Sequence, residues 1–333
     1  MIGLSYGGVF YFVSNILAYL DYEVVTQIKV VNVNQLTFPA ITFCFTHSEY
    51  AGSYPGATLV SQTNLSEVLL WCFFEEVYNN CSKDKFEYIP VDTGPFYNTF
   101  YHCFRYNGGK KENVLTSSRI GIWSGLIIAL NMSTTTQTYF HISGNSETTS
   151  WTDLKNIVEK KEVGKFVTVE MKQTVDTKLP QPYSKCDDNI TADTSEFTGQ
   201  IINILNNTYS QKQCYEICYS KYINKYIADN NLDPRVAYKN VKFDYIGNCS
   251  NVCPLECNTT TFDFIRSESR SKPDVLIMNF FYSDRKYLQI SQIPKTSMAD
   301  LISNAGGVLG LFLELSFYTV YKLLSFTLDI FIR

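Results

Sequence analysis

Ser210-Gln211-Lys212-Gln213-Cys214-Tyr215-Glu216-Ile217-Cys218 reads as the first turns of a helix. Ser210 and Gln213 have the spacing at which an N-cap hydroxyl and the side chain three residues on satisfy each other's backbone N–H. Cys214, Ile217 and Cys218 then share one face, because residues three and four apart are neighbours on a helix. Cys249-Ser250-Asn251-Val252-Cys253 repeats the two-cysteine spacing later in the chain. Four thiolates in two such pairs suit a structural zinc ion; they also suit two disulfides. The compartment decides between these readings.

There are ten cysteines: Cys44, Cys72, Cys81, Cys103, Cys186, Cys214, Cys218, Cys249, Cys253 and Cys257. Asn-x-Ser/Thr sequons begin at Asn64, Asn80, Asn131, Asn189, Asn206, Asn248 and Asn258, in the same stretch. One sequon means little, but seven overlapping an even set of cysteines mark residues 44–260 as extracellular or lumenal. Disulfides persist there and glycans are added there. Zinc stays the alternative for the paired cysteines.

The 333 residues include 28 Lys+Arg against 32 Asp+Glu, a formal charge of −4, which excludes a basic nucleic-acid binder. With 45% hydrophobic and 15% aromatic residues the chain is not disordered. A mean hydropathy of −0.09 excludes a bundle of many membrane spans and leaves room for one or two.

The two ends supply those spans. Residues 1–20 carry no charge, and twenty residues at 1.5 Å each cover the ~30 Å hydrocarbon core. A signal peptide is the alternative, but the stretch has neither a basic start nor a small-x-small cleavage site. Gly3, Ser5, Gly7, Gly8, Ser14 and Asn15 interrupt it, and small residues let helices pack closely in lipid. Residues 301–330 form the second span. Its Glu314 and Lys322 each cost about 2.5–3.5 kcal/mol near mid-bilayer, so they need wet or paired surroundings. Lying eight residues apart, about 12 Å along a helix, they do not pair directly, and intramembrane charges mark a pathway by default. Packing of this segment in a soluble core is the other reading. Two spans around a glycosylated middle put both termini in the cytoplasm.

Residues 21–300 read as one α+β extracellular domain. Val167, Val169 and Met171 alternate with polar residues over Phe166–Val175, a strand pattern. Val275–Tyr282 and Tyr287–Ile293 read as two further strands. Asn64 and Glu67 read as an N-cap and its partner, opening a helix whose apolar stripe is Leu65, Val68, Leu69, Cys72 and Phe73. Nothing points to an enzyme: no GxSxG, P-loop or HExxH occurs. His47, His102 and His141 lack metal-ligand spacing, so no metal or cofactor is expected.

Several motifs resemble those of the degenerin/epithelial sodium channel superfamily, which includes the acid-sensing and peptide-gated channels. Phe38-Pro39-Ala40-Ile41-Thr42-Phe43-Cys44 resembles its FPAVTxC signature, and Cys103-Phe104-Arg105-Tyr106-Asn107 its CYTFN element. Leu179-Pro180-Gln181-Pro182-Tyr183-Ser184-Lys185-Cys186 resembles L-P-x-P-Y-x-x-C, and Tyr209-Ser210-x3-Cys214-x3-Cys218 resembles YSxxxCxxxC. Cys253-Pro254-Leu255-Glu256-Cys257-Asn258 resembles CPLPCN, and Leu301 to Leu313 resembles the start of the family's second span. Each match is modest alone; together, in the family's order from about residue 20 to 320, they are specific.

The resemblance implies a trimer of two-span subunits around a cation pore, under an extracellular domain with a palm β-sheet, finger and short thumb helices. By family analogy it implies the pairs Cys44–Cys103, Cys72–Cys81, Cys186–Cys257, Cys214–Cys253 and Cys218–Cys249. A segment antiparallel to the helix would present Cys253 and Cys249 to Cys214 and Cys218 in turn. Tyr22 and Tyr183 occupy the positions of an aromatic pair joining the first span to the thumb base, with ordinary packing as the plain alternative. Ser303 matches a position where bulky residues hold degenerins open, and Gly310 a pore-mouth position linked to amiloride block. The family's Gly-x-Ser selectivity element reads Glu314-Leu315-Ser316 here, and Lys322 stands where the family has an acid. A Glu314 ring would attract cations, while a Lys322 ring facing the pore would oppose them; a snorkelling Lys322 would not. The family's cytoplasmic His-Gly motif has no counterpart before Met1, so the chain reads as truncated at its N-terminus.

The expectation is a plasma-membrane subunit of a sodium-preferring, amiloride-sensitive channel. Its partners are sodium ions, membrane lipid, itself or homologous subunits in a trimer, and an extracellular ligand of unknown identity, with no nucleic acid. A non-conducting accessory subunit and a membrane-anchored receptor are the alternatives. Residues Tyr22–Asn34 lack the histidine pair of some acid-sensing members, and peptide or mechanical gating leaves no mark in the sequence.

Overall fold

The computed structural model describes residues 2–47, 64–76, 80–81, 83–92, 100–109, 114–132, 135–145, 147, 154–158, 164–204, 208–232, 247, 249–313, 321–322 and 325. The chain divides into two units. One comprises Met1–Gln27, Lys178–Lys185 and Ser291–Arg333; the other comprises Ile28–Thr177 and Cys186–Ile290.

The second unit is built on two sheets. The larger runs β14 (Asn258–Arg270), β11 (Lys165–Thr177), β15 (Val275–Pro294), β8 (Leu126–Asn131) and β4 (Leu69–Phe74), with β1 (Val24–Asn32) also paired to β15. The other runs β10 (Lys155–Val158), β9 (Thr135–Ser143), β3 (Ala40–His47), β6 (Phe100–Tyr106) and β5 (Phe86–Asp92). Two short pairs are added: β2 (Leu36–Thr37) with β7 (Thr116–Ser117), and the parallel β12 (Cys186–Asp187) and β13 (Leu255–Glu256). The sheets meet through aromatic contacts, Phe140 of β9 lying edge-on to Phe264 of β14 at 5.2 Å and to Phe280 of β15 at 5.6 Å. Val167, Val169 and Met171 of β11 are buried, as their alternation predicts. β8 lies between β15 and β4, and its run Leu126–Leu130 is buried throughout, the pattern of a strand covered on both faces. Gly125 enters it with φ +81°; a side chain there would also collide with the Phe280 carbonyl.

Phe38 ties the sheets together. Its ring lies edge-on to Phe74 at 5.1 Å and to Tyr282 at 6.2 Å. Its carbonyl accepts from Asn107 Nδ2 at 2.7 Å and from Asn145 Nδ2 at 2.9 Å. Asn107 has φ +59°, and its Oδ1 accepts the Leu115 N–H at 2.9 Å. Asparagine tolerates the left-handed region better than other side chains and brings a donor and an acceptor.

All five disulfides are the pairs that the resemblance implies: Cys44–Cys103, Cys72–Cys81, Cys186–Cys257, Cys214–Cys253 and Cys218–Cys249. The zinc reading is thereby overturned, since all four of its thiolates are oxidised. Among the described residues the named α-helices are α1 (Ile2–Leu20), α2 (Leu65–Val68), α3 (Glu196–Gly199), α4 (Gln211–Asn230) and α5 (Met298–Leu313).

Two local readings need correction. The helix expected from Leu65 to Phe73 is a single turn, α2, capped by the Asn64 side chain on the Ser66 N–H, and the chain then becomes β4. Leu69–Phe74 pairs with β8, and cross-strand aromatic and aliphatic packing overrides the helical stripe. The strands expected at Val275–Tyr282 and Tyr287–Ile293 are one strand, β15, because backbone pairing continues through the polar Ser283–Lys286, where Val33 N–H donates to the Arg285 carbonyl at 3.0 Å. In Asn107→Ala the Phe38 carbonyl loses one donor, the half-buried Leu115 N–H loses its acceptor and alanine is strained. It should cost about 2–4 kcal/mol in denaturant unfolding, and Asn107→Gly, without the strain, should cost less.

Candidate functional site

In the first unit, α1 and α5 pack together, and the segments that lead into them meet the 178–185 loop. α1 closes with Asp21 N–H on the Leu17 carbonyl at 2.9 Å and Tyr22 N–H on the Tyr19 carbonyl at 3.2 Å. Tyr22 turns the chain with φ +50°, and its ring lies edge-on to Tyr183 at 5.4 Å and 86°. The next residue, Glu23, accepts the Lys295 N–H at 2.8 Å through its backbone carbonyl and forms an ion pair with Lys295 Nζ. That hydrogen-bonded carboxylate raises the Lys295 pKa. The 178–185 loop reaches β15 through Leu179 N–H, which donates to Gln292 Oε1 at 3.2 Å. Ser297 and Asp300 cap α5 reciprocally: Asp300 N–H donates to Ser297 Oγ at 3.1 Å and Ser297 N–H to Asp300 Oδ2 at 3.0 Å.

In the second unit, the two cysteines of α4 are each held to the 249–253 segment. Ser210 sits at the N-cap without a side-chain capping bond; the Glu256 carboxylate takes the Gln211 N–H instead, at 2.8 Å. Tyr209 OH donates to the Pro254 carbonyl at 2.6 Å, and burial raises its pKa. A cleft beside this turn is lined by His141, Glu147, Ser210, Lys212, Thr260 and Thr261. Burial, reinforced by Lys212, Arg105 and Lys155, lowers the His141 pKa to about 3. Burial raises the Glu147 carboxyl above its usual range, and the nearby Glu256 charge adds to this against the Gly144 N–H, Arg105 and Lys212. Arg105, itself buried, donates to the Gly144 and Asn145 carbonyls at 3.1 and 2.6 Å.

Of the residues expected at a gate or pore, Tyr22 and Tyr183 are in contact. Ser303 and Gly310 lie exposed on α5, and Lys322 is exposed further on. Glu314, Leu315 and Ser316 lie outside the described residues. Among the sequons, Asn64, Asn80, Asn189 and Asn258 are exposed and Asn131 is half-buried at the end of β8, while Asn206 and Asn248 lie outside the described residues. The three histidines fall in β3, β6 and β9. Among the described residues no group of three His, Cys, Asp or Glu is placed to hold a metal, and no helix is long and apolar enough to cross a membrane. Sequence reasoning missed the Glu23–Lys295 and Leu179–Gln292 contacts, which join positions 272 and 113 residues apart, and the cluster around His141. No local pattern announces such pairs.

One unit is strand-rich and braced by five disulfides, the build of a protein from an oxidising compartment, and in the other two terminal helices meet at one joint. The family model for the amiloride-sensitive sodium channel matches residues 45–326, and the chain belongs to that family. It is a family of ion channels, not of enzymes. The chain is 22% identical to the epithelial sodium channel subunit gamma of Pelodiscus sinensis over 78% of its own length and 44% of the relative's. It is 24% identical to the human subunit gamma, covering 80% and 47% respectively. It is 22% identical to acid-sensing ion channel 1B of Danio rerio, covering 96% and 69%. The chain thus spans about half the length of the gamma subunits it matches. A cryo-EM structure of a proton-activated chloride channel aligns at 10% identity with a TM-score of 0.37, over 100% of this chain and 96% of that one; so loose a likeness carries no weight here.

The His141 environment sets a pH dependence. Its pKa is about 3 in the folded chain and near 6.5 in the unfolded one, so between these values the unfolded state binds more protons. Stability therefore falls as pH drops below 6.5, by about 2 kcal/mol between pH 7 and pH 5. Glu147, with a raised pKa, acts in the opposite sense. Unfolding curves at the two pH values should show a smaller acid loss for His141→Gln than for the unmodified chain.

Proposed function

We propose that the chain is a subunit of a trimeric, sodium-preferring, amiloride-sensitive cation channel of the plasma membrane. Residues 1–20 and 301–330 are its spans, both termini are cytoplasmic, and a glycosylated palm, finger and thumb domain gates it from outside. The observation that carries this reading is the Tyr22–Tyr183 joint, which couples the 178–185 loop to the end of α1 in a chain of a channel family. Two further features support it. α1 is charge-free and exposes Val9, Phe10, Tyr11, Val13 and Leu17, while the Asn15 side-chain amide donates to the Tyr11 carbonyl at 2.9 Å. On α5, a side chain added at Gly306, Gly307 or Gly310 would meet no atom of the described residues within 4 Å, so among these residues the glycines have no packing role. Neighbouring subunits supply one, since small residues allow close approach of helices in lipid.

In this reading movement of the disulfide-braced helix α4 displaces the palm strands, and the strands pull on both spans. Ser303 sits where side-chain size biases the open state, Gly310 lies at the mouth, and Glu314-Leu315-Ser316 forms the narrow element. Asn64, Asn80, Asn131, Asn189, Asn206, Asn248 and Asn258 are the glycan sites. Lys322, exposed where the family has an acid, favours a second reading, a pore-silent subunit that needs a homologous partner.

Voltage clamp of cells expressing this chain alone, under a sodium gradient with acid pulses and amiloride, tests both readings. The expected result is an amiloride-blocked inward current. No current despite confirmed surface expression, together with a current from the Lys322→Glu variant, would favour the silent subunit.

A further inference from the structure

The 178–185 loop touches both strands that lead into the terminal helices. Tyr183 meets Tyr22 at the exit of α1. Leu179, at the loop's other end, gives its N–H to Gln292 near the end of β15, six residues before α5 begins at Met298. Glu23 and Lys295 then link the two exits to each other through a backbone hydrogen bond and an ion pair. The three contacts close a triangle. The loop that forms one corner is stiff: Pro180 and Pro182 each lock one backbone angle, Tyr183 N–H turns back onto the Pro180 carbonyl at 3.1 Å, and Ser184 Oγ–H holds the Leu179 carbonyl at 2.6 Å. A stiff segment transmits a displacement that a flexible one would absorb.

We propose that Gln292 is a positioning residue of this joint: by taking the Leu179 N–H it fastens the loop to the strand entering α5, alongside the aromatic contact that fastens it to α1. This rests on the channel reading above. Gln292 and Leu179 are both half-buried, whereas the Glu23–Lys295 side chains are exposed and screened by salt. The Gln292 contact is thus a direct and less screened route from the loop to the strand that enters α5, beside the β1–β15 pairing and the exposed pair.

The test uses the full chain in detergent and compares it with Gln292→Met, which keeps length and loses the acceptor, and Gln292→Glu, which keeps the acceptor. Amide hydrogen exchange followed by mass spectrometry reads the 178–185 peptide, which has few amides because two of its residues are proline. Gln292→Met should speed exchange at Leu179 about two- to ten-fold, and Gln292→Glu should not. The β11–β14 ladder serves as the fold control; if Gln292→Met loosens it, Gln292→Asn, one methylene too short, takes its place with the same expected speeding. Under voltage clamp, the acceptor-deleting variant should change the opening or closing rate and Gln292→Glu should leave both alone. Unchanged exchange in the acceptor-deleting variant, or unchanged gating in a conducting channel, would overturn the proposal. Absence of current from the unmodified chain would count against the channel reading itself, and exchange alone would then decide the tether.

Discussion

The buried carbonyl of Phe38 is the constraint around which the large domain is arranged. A buried carbonyl left unpaired costs as much as a lost hydrogen bond, and this one is shared by two asparagine side chains from different loops. Asn145 also bonds the Asn107 carbonyl, at 2.8 Å, and accepts the Gly109 N–H at 2.8 Å. Tyr282 bonds the neighbouring Thr37 carbonyl at 2.9 Å. These bonds hold the start of β3 against the ends of β6 and β9 and against β15. The ring of Phe38 fills the apolar side of the same point, so position and packing are set together.

The disulfides act on top of this core. Cys44–Cys103 staples directly paired residues of β3 and β6, a place where hydrogen bonding already fixes the backbone. The pairs at Cys214 and Cys218 have a different task. α4 is mostly polar, and its buried side chains are Gln213, Cys214, Cys218 and Ile223. Around these disulfides Tyr215 and Ile217 pack in one cluster with Ile201, Phe197 and Val252, and the polar tethers Tyr209–Pro254 and Gln211–Glu256 fix the first turn.

How far the sequence was legible follows from the range of the forces involved. Alternation made β11 readable, because its pattern reports burial on one face. The helix from Gln211 was readable from its spacing. The stripe Leu65–Phe73 misled, because an apolar run of that length serves a helix or a strand, and only the presence of β8 decides. The break expected between Tyr282 and Tyr287 failed for a related reason: polar side chains at an exposed part of a strand leave its backbone pairing untouched.

By itself the sequence determined the oxidised character of the middle of the chain, the family, and through the family the cysteine pairing and the Tyr22–Tyr183 contact. These follow from residue identity and order along the chain. Only the tertiary structure decided that Glu23 meets Lys295, that Leu179 meets Gln292, that Asn107 and Asn145 share one carbonyl, and that His141 is kept neutral by burial beside three cations. Those facts depend on distances between residues far apart in the chain, and folding sets such distances through the packing of whole sheets rather than through any local pattern.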